Sequence, residues 1–155
     1  MMDVQALLAL CQTEMAALDD LQHTLEEEQR AILRFDAFNL EEMAQAKLRQ
    51  LEALTAARAA RLGLQESAGF ADAAHWQAWL QQAPADVRQL WQGLEKGLIK
   101  LKALNDVNAD LAQERMTFAT EVLDSLKASN QAVAGYGRQG NLSSTLSGSR
   151  RLGSA

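Results

Sequence analysis

Two histidines each follow an aspartate by three residues, in Asp20-Leu21-Gln22-His23 and in Asp72-Ala73-Ala74-His75. On a helix that spacing puts acid and imidazole on one face. Paired Glu-x-x-His motifs with two further glutamates build di-metal centres in helical bundles. Here the acids are Asp, His23 lies one step off the apolar side of its helix, and His75 lies between two glycine-bearing loops. A metal site is therefore not expected. Asp106-Val107-Asn108-Ala109-Asp110 starts like a calcium loop, but Leu111 stands where that loop needs Gly and Thr117 where it needs Glu. Gly135, Gly137 and Gly140 have no strand before them and no helix after, so they cradle no phosphate. Cys11 and His23 fall on different faces of one helix, which leaves no nucleophile beside a base. The residues supply no catalytic machinery and call for no cofactor, and the chain reads as a non-enzyme.

The more informative polar residues are Asn105 and Asn108, which interrupt an apolar seam. That seam runs through Val87, Leu90 or Trp91, Leu94, Leu98 and Leu101, and resumes at Ala112, Ala119, Val122, Leu126 and Val133. Steps of three and four keep these residues on one side of a helix predicted over 84–133, about 75 Å long at 1.5 Å per residue. Leu104, Val107, Leu111, Phe118 and Leu123 form a second line that widens the stripe. A helix of this length cannot cover its own apolar face. A buried asparagine amide fixes register between packed helices when its hydrogen bonds are met. Asn105 and Asn108 are therefore either a register pin inside a bundle or part of an interface with a partner.

The rest of the chain supplies helices to pack on it. Of 155 residues 48% are hydrophobic but only 5% aromatic, with one proline, which favours helices over sheets. The formal net charge of −5 and the lack of a basic patch exclude nucleic acid as a partner. No apolar run is long enough for membrane insertion, no secretory leader is read, and one cysteine excludes an internal disulfide. A soluble cytoplasmic protein is expected. The first helix is predicted over 3–34, with Val4, Leu7, Leu8, Cys11, Met15, Leu18, Leu21, Leu25, Ile32 and Leu33 inward. Its acids, Glu14 and Glu26 to Glu28 among them, are expected on an outer face. Asn39 with Glu42 reads as the cap of a second helix over 40–62, carrying Leu40, Met43, Leu48, Leu51, Leu54 and Leu62 and ended by Gly63. A short helix over 71–80 sets Trp76, Trp79 and Leu80 on one side as a plug for the bundle end. Gly135 and Gly137 are expected to stop the long helix before a disordered tail over 138–155. The fold expected is all-α: an antiparallel helical bundle of coiled-coil hairpins around one very long C-terminal helix, forming a single domain over 1–137.

Four features in this order resemble the FlgN family of flagellar type III export chaperones. They are the acidic leucine-rich first helix with its Asp36 corner, Lys47 followed by Leu48 and Leu51, Asn105-x-x-Asn108-x-x-Leu111, and Tyr136-Gly137-x-x-Gly140. The resemblance implies a cytoplasmic chaperone without enzymatic activity. Its clients would be the hook–filament junction proteins FlgK and FlgL, bound by the C-terminal part of the long helix, and the empty chaperone would engage the export ATPase apparatus. Leu111, Phe118, Val122, Leu123, Leu126 and Tyr136 are the candidate client-binding residues, and Asn105 and Asn108 the candidate polar pair. The competing reading is a structural coiled-coil adaptor that forms a homodimer through the same seam.

Overall fold

The computed structural model describes residues 1–139, with side chains through residue 135. It has four helices: α1 Val4–Leu33, α2 Ala37–Ser67, α3 Ala73–Gln82 and α4 Ala85–Gln139. By backbone contact the chain falls into two compact units, Met1–Ala112 and one that begins at Gln113.

Aspartates start the first three helices. Asp3 accepts from Ala6 N at 3.0 Å, Asp36 from Asn39 N at 3.2 Å and Asp72 from His75 N at 3.1 Å, each satisfying a first-turn donor. The acid of the second Asp-x-x-His motif is thus occupied as a helix cap. Asn39 does not cap α2. Asp36 takes that place three residues earlier, and Asn39 Nδ2 donates back to it at 2.7 Å.

Two of the expected stops move for one reason. A glycine ends a helix when it turns left-handed, and Gly63 and Gly135 do not. So α2 continues past Gly63 to Ser67, and α4 continues through Gly135 to Gln139. Gly69, at φ 92°, is the left-handed residue that stops α2. Its N–H donates to Glu66 O at 3.0 Å, and Phe70 N–H reaches back to Gln65 O at 2.8 Å. Phe35 does the same after α1 at φ 54°, a conformation that costs a side-chain-bearing residue about 1–2 kcal/mol. The expected tail from residue 140 onward lies outside the described residues.

In the first unit, α1, α2 and the start of α4 pack around a heptad seam. Leu7, Glu14 and Leu21 are buried along α1, and Val87, Leu94, Leu101 and Asn108 along α4, all at intervals of seven. Glu14 pairs with Arg61 and Glu28 with Lys47, so α1 and α2 run antiparallel. Gly97 packs on Leu18, while Asn108 bonds to Leu25 and Glu28, so α1 and α4 run parallel. Leu21, Leu54 and Leu101 share one core cluster. Leu7 and Val87 share another with Trp76 and Leu80 of α3. There Trp76 stacks on Trp79 at 5.2 Å and meets Trp91 edge-on at 5.2 Å, so α3 plugs this end.

Glu14 and Glu28 depart from the expected acidic outer face. Glu14 is fully buried. Its carboxylate accepts from Arg61 Nε, and from Nη2 at 3.1 Å. Arg61 also donates to Gln65 and lies 4.8 Å over the Trp91 ring. On α2 the inward places of Leu48 and Leu62 go to Lys47 and Arg61, and both leucines are exposed. The cause is charge pairing: the cations of α2 face the two glutamates of α1.

Gly93 and Gly97, one turn apart, bring α4 close to α1. A Cβ on Gly93 would lie 3.0 Å from Met15 Cε, and one on Gly97 only 2.5 Å from Leu18 Cδ2.

Glu14→Ala is expected to lower the unfolding free energy by about 3–5 kcal/mol, because Arg61 stays buried without its counter-charge. Glu14→Leu combined with Arg61→Leu is expected to recover most of that loss, as read by urea titration of helical circular dichroism. Gly63→Ala, with open space around it, is expected to gain about 1 kcal/mol from helix propensity. The same substitution at Gly97 is expected to lose stability against Leu18, and paired melting curves check the contrast.

Candidate functional site

From residue 113 to residue 135 the apolar side chains of α4 are open. Phe118 is 56% exposed, Val122 41%, Leu123 57% and Leu126 56%, with Met116 and Val133 exposed as well. At 100° per residue Phe118, Val122, Leu126 and Val133 fall within an arc of about 80°, a single stripe. A shallow depression of about 320 Å³ runs between Phe118, Val122 and Leu126, with Glu121 and Ser125 on its edge. Leu111, in the first unit, is half-buried. The side chain of Tyr136 lies outside the described residues. Nothing in this stripe carries chemistry. It offers apolar area with a few polar groups at the edge, which suits an amphipathic helix laid along it.

The two asparagines separate in role. Asn108 faces the bundle and is 2% exposed. Its Nδ2 donates to Leu25 O at 2.8 Å and to Glu28 Oε1 at 2.9 Å. Asn105 is exposed, and its Oδ1 accepts from Lys47 Nζ at 3.4 Å. Lys47 is held on its other side by both oxygens of Glu28, at 3.0 and 3.3 Å. The sequence marked the asparagines but not Glu28 or Lys47 as their partners. The only signal available was that Glu14, Leu21 and Glu28 recur every seven residues on α1. Beside this layer an apolar chamber of about 250 Å³ opens, walled by Leu21, Leu25, Leu51, Leu98 and Leu101.

Compared with known protein families, the chain matches the family described as FlgN protein over residues 1–144. No curated protein and no solved structure matches it.

The groups that could carry chemistry are dispersed. No cluster of three metal-ligating side chains occurs among the described residues, and His23 and His75 are both exposed. No helix among them is long and apolar enough to cross a membrane. Burial pushes the Cys11 thiol from 9.0 up to about 11, with Arg61 acting in the opposite sense and Glu14 adding to the rise. Cys11 is therefore a protonated core residue at neutral pH. Its thiolate fraction at pH 8 is about a hundredfold below that of an ordinary thiol, so the folded protein is expected to react that much more slowly with a disulfide reagent. Urea is expected to restore the ordinary rate, and absorbance of the released thiol reads both.

Proposed function

The chain belongs to the FlgN family, and on that premise we propose that this flagellar export chaperone holds hook–filament junction proteins of the FlgK and FlgL type. In this reading it works in the cytoplasm and keeps those clients unassembled and competent for export. Residues 1–137 act as one chaperone domain, a helical bundle built around the long C-terminal helix. The single observation that carries the client site is the open apolar stripe of Phe118, Val122 and Leu126, with Leu123 beside it. We propose the same client-binding role for Leu111 and Tyr136. A junction-protein terminus that stays unfolded until assembly would present an amphipathic helix, and this stripe would cover its apolar side. Full burial of one Leu or Phe is worth about 1.5–3 kcal/mol, so four or five such contacts support about micromolar binding after ordering costs. Once the client leaves, the empty chaperone is free to engage the export ATPase apparatus.

The same stripe also suits a second copy of the chain, which is the adaptor reading. Val122→Asp separates the two. It is expected to weaken capture of a junction-protein C-terminal segment at least about tenfold, leaving helical content and sedimentation unchanged. Wild-type binding by the variant, or loss of a dimer in place of loss of client, contradicts the proposal. Titration calorimetry with sedimentation of the free protein provides both readings.

A further inference from the structure

The open stripe of α4 has two unlike edges. On one edge Glu114 and Glu121 stand exposed, one heptad apart, and Glu121 borders the depression between Phe118, Val122 and Leu126. At 100° per residue the two glutamates fall about 40° and 60° beyond Phe118. On the other edge, about 60° beyond Leu126, stands the exposed Leu123. The stripe is thus apolar along its middle, acidic along one side and apolar along the other.

Nothing on its own helix neutralises the acidic edge. Charges on a helix pair at intervals of three and four. Around Glu114 and Glu121 those places hold Asp110, Leu111, Thr117, Phe118, Asp124 and Ser125, without a cation. Neither glutamate forms an ion pair among the described residues. In the first unit, by contrast, Glu14, Glu27 and Glu28 each pair with an arginine or lysine. Arg115 lies about 100° round the helix from Glu114, and Lys127 about 120° from Glu121, so both stand off this edge. Charges that flank an apolar seam select the partner and its orientation.

We propose that the client segment seated on this stripe is a basic amphipathic helix, with a lysine or arginine at two positions one heptad apart on the side that meets Glu114 and Glu121. The proposal rests on the chaperone reading for the stripe and adds the chemistry of its occupant. One heptad of helix rises about 10 Å, so the client's two cations match the two glutamates in either chain direction. A second copy of the chain laid antiparallel would set the acidic edge against itself, and the unpaired carboxylates oppose that. The charged edge acts mainly on the rate of encounter, and the apolar stripe on residence.

The test follows binding of a junction-protein C-terminal segment to the full-length chain, by stopped-flow fluorescence and titration calorimetry, at about 0.05 M and about 1 M salt. Glu114→Gln combined with Glu121→Gln is expected to weaken binding about fivefold at the lower salt, chiefly through slower association. Both residues are exposed and unpaired, so the melting temperature is expected to stay unchanged. At the higher salt the screening length is about 3 Å, and the double variant is expected to bind like the wild type. Val122→Asp is expected to lose affinity at both. A segment whose lysines and arginines are replaced by glutamine is expected to bind the wild type and the double variant equally. A wild-type association rate in the double variant at the lower salt, or a loss that persists at the higher, overturns the acidic edge and leaves the chaperone reading intact. A wild-type chain that fails to bind the segment overturns both.

Discussion

The buried ion pair between Glu14 and Arg61 decides which residues of α1 and α2 face each other. A carboxylate with no exposure is tolerable only beside its counter-charge and with its remaining bonds met. Arg61 supplies two donors to Glu14, a third to Gln65, and a cation over Trp91. Fourteen residues along α1, Glu28 and Lys47 repeat the arrangement, with Leu21 and Leu54 in the layer between. If α2 slid by one heptad, Glu14 would face Leu54 or Ala68, and Leu21 would face Lys47 or Arg61. Leucine-rich heptads alone would tolerate such a slip, but these charges do not. Asn108 extends the constraint to α4 through Leu25 O and Glu28, and the close approach of Gly97 to Leu18 sets the separation of α4 from α1.

One cost of these polar layers is that the first unit is incompletely filled. Lys47 turns to Glu28 and Asn105, and the leucine-walled chamber lies beside it. Leucines of all three helices and Asn105 also line that chamber. Among the described residues beyond Ala112 no such layers are present, and Phe118, Val122 and Leu126 remain open. A chaperone for a segment that self-associates needs both properties, a bundle that holds one register and apolar surface that its own side chains do not fill.

Much of this was legible in the residues. Apolar steps of three and four, with cap and turn residues, give four helices in order, α1 to within one residue at each end, and the Trp76–Trp79 pair gives the plug. Cap positions were less legible, because Asp36 and Asn39 are equally good caps by type and only backbone geometry chooses between them. Gly63 and Gly135 failed as stops because a glycine inside a helix and a glycine ending one look alike in sequence, and the sign of φ separates them. Glu14 reads as an outer-face residue because an acid on a helix is usually solvated, and its partner is 47 residues away on another helix. For the candidate site, the apolar period identified the stripe, and the two asparagines identified the polar layer. The division of labour between Asn105 and Asn108 required α1, since the partners of Asn108 are Leu25 and Glu28.

The central claim is that a client covers the open stripe of α4. Hydrogen–deuterium exchange of the full chain, free and saturated with a junction-protein C-terminal segment, tests it most directly. The account predicts that backbone amides across residues 113–133 gain protection when the segment is added, because the client buries that face and slows helix opening. Exchange there that is unchanged while the segment is bound would contradict it.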